Sequence, residues 1–277
     1  VTALHYRSYG HSGPLVIAVH GGPGATGSMG IVARELSDSF RVLEPYQRGV
    51  GPVRLSVAVH VEDMHQFIRE RCAGEQPIIV AHSWGAMLSL AFAAVYPTAA
   101  SAIALICCGT LDENTRAKMN GIIESRKVGE LKRQFQEVER ASDPNRRMAL
   151  IARAMLNVQS YDLIPREAKG ENRREATMAG FQREAWEDMV RLQNSGLYPK
   201  AFAAIKVPVI MLHGAYDPHP GPMIYQSLKP YLPQLEYREW ERCGHYPWLE
   251  RHARNDFFVS LREWLTRQSR LGLRRGD

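Results

Sequence analysis

Short apolar runs alternate along the chain with segments of helical spacing, and most runs close on glycine, proline or a polar residue. Residues 4–9 alternate weakly and stop at Gly10, the pattern of an edge strand. Residues 14–20 are nearly all apolar, as in a strand buried on both faces, and run into His20-Gly21-Gly22-Pro23-Gly24. Helical spacing follows over 31–40, a strand over 40–44 opens into a loop at 45–51, and a helix is expected over 59–71. The run Ile78-Ile79-Val80-Ala81 passes through His82-Ser83-Trp84-Gly85 into an Ala/Leu-rich helical segment that stops at Tyr96-Pro97. Residues 102–108 read as a further buried strand. Such alternation predicts an α/β fold, with a mostly parallel central sheet and helices on both faces.

From 111 to 204 the pattern changes. Charged helical segments such as 130–140 dominate, and no run resembles a buried strand. Met178, Phe181, Ala185, Trp186, Met189 and Leu192 recur at helical spacing, giving an apolar stripe over 176–193. This stretch reads as a helical lid over the carboxyl edge of the sheet, so that 1–110 and 205–277 form the core domain and 111–204 the lid. The stripe either docks the lid or, through Trp186, touches substrate. The sheet resumes over 207–213, a loop follows at 214–221, and a strand alternates over 235–240. A turn at 243–250 leads to a last helix over 255–268 that packs Phe257, Phe258, Leu261 and Trp264, and the basic tail 270–277 reads as frayed.

Composition narrows the class. The chain has 277 residues, 45% of them hydrophobic, which is ample for one α/β domain with an insertion. Its net charge of +6 is spread among interleaved acids, without the aromatic-and-basic pattern of a nucleic-acid reader, so no nucleic-acid partner is expected. No apolar run reaches the roughly 20 residues of a membrane span, and no signal-peptide profile opens the chain. A start at Val1 rather than Met reads as a trimmed terminus. Cys72, Cys107, Cys108 and Cys243 lack metal-ligand spacing, and the Cys107-Cys108 pair sits in an apolar run, so a reducing, cytoplasmic setting is expected.

Ligands on a parallel sheet bind at the carboxyl ends of its strands, where the 20–24 loop, Arg48 and Ser83 all fall. A strand that ends at a serine and turns at once into a helix is a nucleophile elbow, with Ser83 on the bend and Ala81 where the consensus has its first glycine. A serine hydroxyl needs a base, and the base needs an orienting acid. Asp217 follows one late strand and His245 the next, giving the order Ser, Asp, His; Asp112 is the alternative acid. The N–H groups of Gly22 and Trp84 are the candidate oxyanion donors. His82 and His219 are weaker candidates for substrate contact, with His82 also readable as scaffold and His219 as lining the mouth. The chemistry needs no metal and no organic cofactor, and the glycine loop lacks both phosphate-binding patterns.

Three stretches, His20-Gly21-Gly22-Pro23-Gly24, His82-Ser83-Trp84-Gly85 and Cys243-Gly244-His245-Tyr246-Pro247-Trp248, make the chain resemble the α/β-hydrolases, and within them the proline iminopeptidases and related hydrolases. Gln47-Arg48-Gly49 also resembles that family's Asp-Gln-Arg-Gly loop, with Tyr46 in place of the Asp. The resemblance implies an α/β-hydrolase fold with a helical lid, and triad roles for Ser83, Asp217 and His245. Departures bear on substrate. Ala81-His82 replaces the Gly-Gly usual before an iminopeptidase serine, and only Glu171 and Glu187 stand in for the acids that hold a peptide amine. An aspartate nucleophile would have pointed to epoxide or haloalkane chemistry. The leading expectation is a serine hydrolase acting on a small ester, amide or activated carbon–carbon substrate. The alternatives are a proline iminopeptidase and a non-catalytic ligand-binding module of the same fold. Periodicity and spacing say nothing of the oligomeric state.

Overall fold

The computed structural model describes residues 3–49, 51–165, 177–178 and 182–273. In chain order its elements are β1 (Tyr6–Tyr9), β2 (Leu15–Val19), β3 (Ala25–Thr26), α1 (Gly30–Leu36), β4 (Arg41–Pro45), α2 (Val57–Arg71), β5 (Ile78–His82), α3 (Trp84–Val95) and β6 (Ala102–Ile106). Then come α4 (Glu113–Arg126), α5 (Gly129–Arg140), α6 (Pro144–Gln159), β7 (Thr177–Met178) and α7 (Arg183–Asn194). The chain returns to the sheet with β8 (Val209–Gly214), α8 (Gly221–Leu228), β9 (Leu235–Trp240) and α9 (Arg254–Leu273).

The main sheet has seven strands in the order β1-β4-β2-β5-β6-β8-β9. Only β1 is antiparallel to its neighbour. Strands β2, β5 and β6 are buried at every position, so alternate side chains feed two separate cores. Ile17, Ile79 and Leu105 join α2, α3 and α8 on one face, while Val16, Val80 and Ala104 join α1 and α9 on the other. Phe257, Phe258, Leu261 and Trp264 of α9 pack in that second core, and α9 continues to Leu273, past the end expected at 268 and into the tail read as frayed.

Strand order explains where a site belongs. After the edge strand β1 the chain forms β2, goes outward to β4, then crosses back to place β5 on the other side of β2. At such a reversal the loops leaving β2 and β5 diverge and open a crevice at their carboxyl ends. Helices α4 to α7 lie between β6 and β8 in the chain, as the charged stretch implied. The apolar stripe starts later than its spacing suggested. Thr177–Met178 pair with β3 as a short antiparallel strand, and α7 begins only at Arg183; Phe181 lies outside the described residues.

Candidate active site

The elbow is built by close backbone approach. Ser83 holds φ 54° and ψ −118°, between the end of β5 and the start of α3. A non-glycine residue there costs roughly 1–3 kcal/mol, which the surrounding bonds must hold in place. Its N–H donates to the Ile106 carbonyl at 2.9 Å, and its carbonyl accepts from Ala86 at 3.0 Å and Met87 at 3.3 Å. A Cβ on Gly85 would lie 2.5 Å from the His20 carbonyl oxygen and 2.6 Å from that of Val19, so only glycine lets α3 rest on the end of β2. Ala81 is fully buried in register with Val19 and Leu105, and its methyl fills core rather than crowding the turn.

The glycine loop lies directly against the serine. A Cβ on Gly21 would sit 3.1 Å from the Ser83 Cβ, and Gly22 takes φ 118°, a conformation other residues rarely adopt. The N–H groups of Gly22 and Trp84 have no hydrogen-bond partner among the described residues. Gln47 fastens the surroundings of both. Its backbone N–H donates to His20 Nε2 at 3.1 Å, its side-chain amide donates to the His20 carbonyl at 2.7 Å, and its Oε1 accepts from the Trp84 indole at 2.9 Å. His20 in turn donates from Nδ1 to the Gly21 carbonyl at 3.0 Å, which sets its neutral tautomer. Burial pushes its pKa down to about 4. Arg48 forms a bidentate pair with Asp63 of α2, and its carbonyl accepts from Gln182 at 2.7 Å.

Two further loops bring Asp217 and His245 together. No Cβ would fit on Gly214 against the carbonyls of Cys243 and Gly244, so the loops after β8 and β9 touch backbone to backbone. Asp217 Oδ2 accepts from His245 Nδ1 at 2.6 Å, with both side chains almost wholly buried. His82, buried behind Ser83, donates from Nε2 to the His245 carbonyl at 2.9 Å, and the two rings lie 4.6 Å apart. Burial lowers the pKa of His245, opposed by the Asp217 charge. Burial would raise that of Asp217, but the His245 and His219 imidazoles hold it well below the usual carboxylate range. Ser83 is half-buried, and its hydroxyl makes no hydrogen bond among the described residues. Asp112 caps α4, accepting from the Thr115 N–H at 2.8 Å and the Ser227 hydroxyl at 2.8 Å, and does not meet His245.

The weaker expectations fall as follows. His219 bonds Asp217 rather than standing free, with its side chain 11% exposed. Trp186 packs on the first core with its ring 6.5 Å from that of Trp84. Glu187 is exposed on α7, and Glu171 lies outside the described residues. Spacing had given no role to Glu250, which is fully buried. Its carboxylate accepts from the N–H groups of Gly244 at 3.0 Å, Tyr161 at 2.9 Å and Asp162 at 2.7 Å, tying the base loop to the chain after α6. Nothing in the sequence signals this role, because burial and distant backbone partners leave no mark in spacing. Cys107, Asp217 and His245 each put a ligand atom within 4.8 Å of the others. Asp217 and His245 spend theirs on each other, and burial pushes the Cys107 thiol well up, away from the thiolate a metal needs.

A family model described as the alpha/beta hydrolase family matches residues 16–257. The chain belongs to that family. Among solved structures it is similar to a putative lipase from Acinetobacter baumannii, with TM-score 0.66, 19% identity and coverage of 95% of this chain and 87% of that one. It is also similar to a thermophilic esterase from Thermogutta terrifontis, with TM-score 0.64, 19% identity and coverage of 96% and 93%. At such identities the likeness is one of fold. Epoxide hydrolase 3 of Mus musculus is 32% identical over 102 residues, 34% of this chain and 28% of that protein, so the match spans under a third of the curated relative. Family membership supports a hydrolase activity. Among the described residues no helix is long and apolar enough to cross a membrane, and all four cysteines are buried and free.

Proposed function

We propose that the protein is a serine hydrolase that cleaves a small acyl substrate, an ester first of all, through Ser83, His245 and Asp217. The observation that carries this reading is the buried 2.6 Å bond between Asp217 Oδ2 and His245 Nδ1. A carboxylate only accepts, so the proton sits on Nδ1 and Nε2 is left as the base. His245 Nε2 takes the Ser83 proton as Oγ attacks the acyl carbon, and the oxyanion forms against the N–H groups of Gly22 and Trp84. Donors of this kind are each worth on the order of 10²–10³ in rate. The imidazolium then protonates the leaving group, and water, activated by the same ring, releases the acid and restores Ser83.

Helices α4 to α7, residues 111–204, serve as the lid in this reading. Glu184 and Asp188 of α7 accept from the backbone N–H groups of Leu55 and Val57, both at 2.9 Å. These bonds turn both carboxylates towards the backbone at the start of α2, and Glu187 is exposed, which we take to favour esters over N-terminal prolyl substrates. Epoxide opening would call for an aspartate at the elbow, where this chain has Ser83. A fluorophosphonate probe is expected to label the wild-type protein at Ser83. Ser83→Ala should abolish both labelling and turnover across a panel of short acyl esters, prolyl amides and lactones. A folded wild-type protein that neither labels nor turns over any of these would instead favour a ligand-binding module.

A further inference from the structure

Four histidines surround the Asp217 carboxylate, and of the three that take no part in the reaction just described, His219 holds it most closely. His219 donates to Asp217 Oδ1 twice, from its backbone N–H at 2.9 Å and from Nδ1 at 2.8 Å. Its ring also lies flat on that of His245, with centroids 4.4 Å apart and planes 19° apart. Pro218 and Pro220 bracket it, each fixing its own φ, and His213 Nε2 donates to the His219 carbonyl at 2.8 Å. A residue that merely closed a turn would need only the backbone bond. Here the side chain is held from both sides, on the acid and against the base.

We propose that His219 is a positioning residue for the acid–base pair, holding the outer oxygen of Asp217 and covering one face of the His245 ring. The proposal rests on the triad reading. Its chemistry has a definite sign. Each donor that a carboxylate accepts draws charge from it, so the bond to Oδ1 weakens the support that Oδ2 can give to an imidazolium. The covering ring keeps water from the charged form as well. Both effects keep His245 neutral, and so able to accept a proton, to lower pH. The other groups around the His245 ring remain in place when His219 is changed. These are Asp217 and His213 beside it, His82 from β5, Cys107 after β6, and Tyr246 on its own loop. Arg126 of α4 lies 3.6 Å above the Tyr216 ring and is the nearby cation.

Two substitutions separate bond from ring. His219→Asn keeps a donor near the Nδ1 position and loses the stack, while His219→Phe keeps the stack and loses the donor. The rate of fluorophosphonate labelling at Ser83, followed against pH, reads the base without any choice of substrate. The downfield proton resonance of His245 Nδ1–H gives a second readout. For His219→Phe the labelling midpoint should move up by about half a unit to one unit, with a slower limiting rate. His219→Asn should restore the limiting rate and most of the midpoint. Should the Phe variant not fold, His219→Leu, also donor-free, is expected to show the same upward movement. Midpoints of the donor-free variants equal to wild type, with the downfield resonance unmoved, would overturn the proposal. Ser83→Ala is run beside them: labelling that persists there sinks the triad reading itself, whereas labelling lost there with unmoved midpoints sinks only the role of His219.

Discussion

Lowering the pH should unfold this protein through His20, and the size of the effect follows from its surroundings. The imidazole is fully buried, donates from Nδ1 to the Gly21 carbonyl and accepts at Nε2 from the Gln47 N–H. Protonation would place a second N–H against the Gln47 donor, in a fully buried site that bulk solvent does not reach. Burial accordingly lowers its pKa from 6.5 to about 4. Since the folded value lies below the unfolded one, the unfolded chain binds the proton first. Stability is therefore full above pH 6.5 and falls as the pH drops towards 4. At about 1.4 kcal/mol per unit, His20 alone removes roughly 2 kcal/mol by pH 5 and roughly 3 kcal/mol by pH 4. Against a typical total of about 5–15 kcal/mol, that is a large share. Burial also lowers His60, His82 and His245, so the wild-type loss should exceed the His20 share. Urea unfolding followed by tryptophan fluorescence at pH 7.5 and pH 5.0, for wild type and His20→Gln, isolates the contribution. The variant should start less stable, yet lose about 2 kcal/mol less between the two pH values. Parallel losses within about 0.5 kcal/mol would refute the reasoning, because a non-titrating Gln cannot reproduce a histidine's slope.

Gln47→Leu removes the two side-chain hydrogen bonds that join the glycine loop to Trp84, and should slow fluorophosphonate labelling of Ser83 by about tenfold or more while the protein stays folded. The backbone N–H bond survives the substitution only if the loop keeps its place, so an unchanged labelling rate would show that the side chain holds nothing. Glu250→Gln puts a donor where three backbone N–H groups converge, and should cost about 2 kcal/mol in urea unfolding. A loss under about 0.5 kcal/mol would mean that the carboxylate's charge contributes nothing there.

The sheet could be read from the sequence because its strands are buried on both faces and leave continuous apolar runs, as at 14–20 and 102–108. Expected strand ends differ from observed ones by a residue or two: β5 includes His82, whose side chain is buried against the His245 loop. The elbow, the acid loop and the base loop were legible for a related reason. Each follows a recognisable strand, and its glycines mark close backbone contact. The α8 helix and the β3–β7 pair were not legible, since eight and two residues are too few for a period to show. Gln47 and Glu250 were invisible in a different way. Their partners lie far along the chain, and a hydrogen bond from Gln47 to Trp84 leaves no mark in spacing or composition.

Glu250, with Gln182, also shows how the inserted segment meets the site. At one end, the Gln159 carbonyl accepts from the His245 N–H at 2.9 Å, and Glu250 holds the next two N–H groups of the chain after Ser160. At the other end, Gln182 donates from its N–H to the Pro23 carbonyl at 3.4 Å and from its side chain to the Arg48 carbonyl. The insertion is thus tied to the base loop where it leaves α6 and to the glycine loop where it enters α7. No Cβ would fit on Gly244 against the Gln159 carbonyl, so the first tie is as close as two backbones allow. Any change in the insertion that shifts either tie must be felt at the His245 loop or at the glycine loop beside Ser83. Substitutions in α6 or at Gln182, neither of which touches the serine, are therefore expected to act on acyl transfer through the position of the base or of the oxyanion donors.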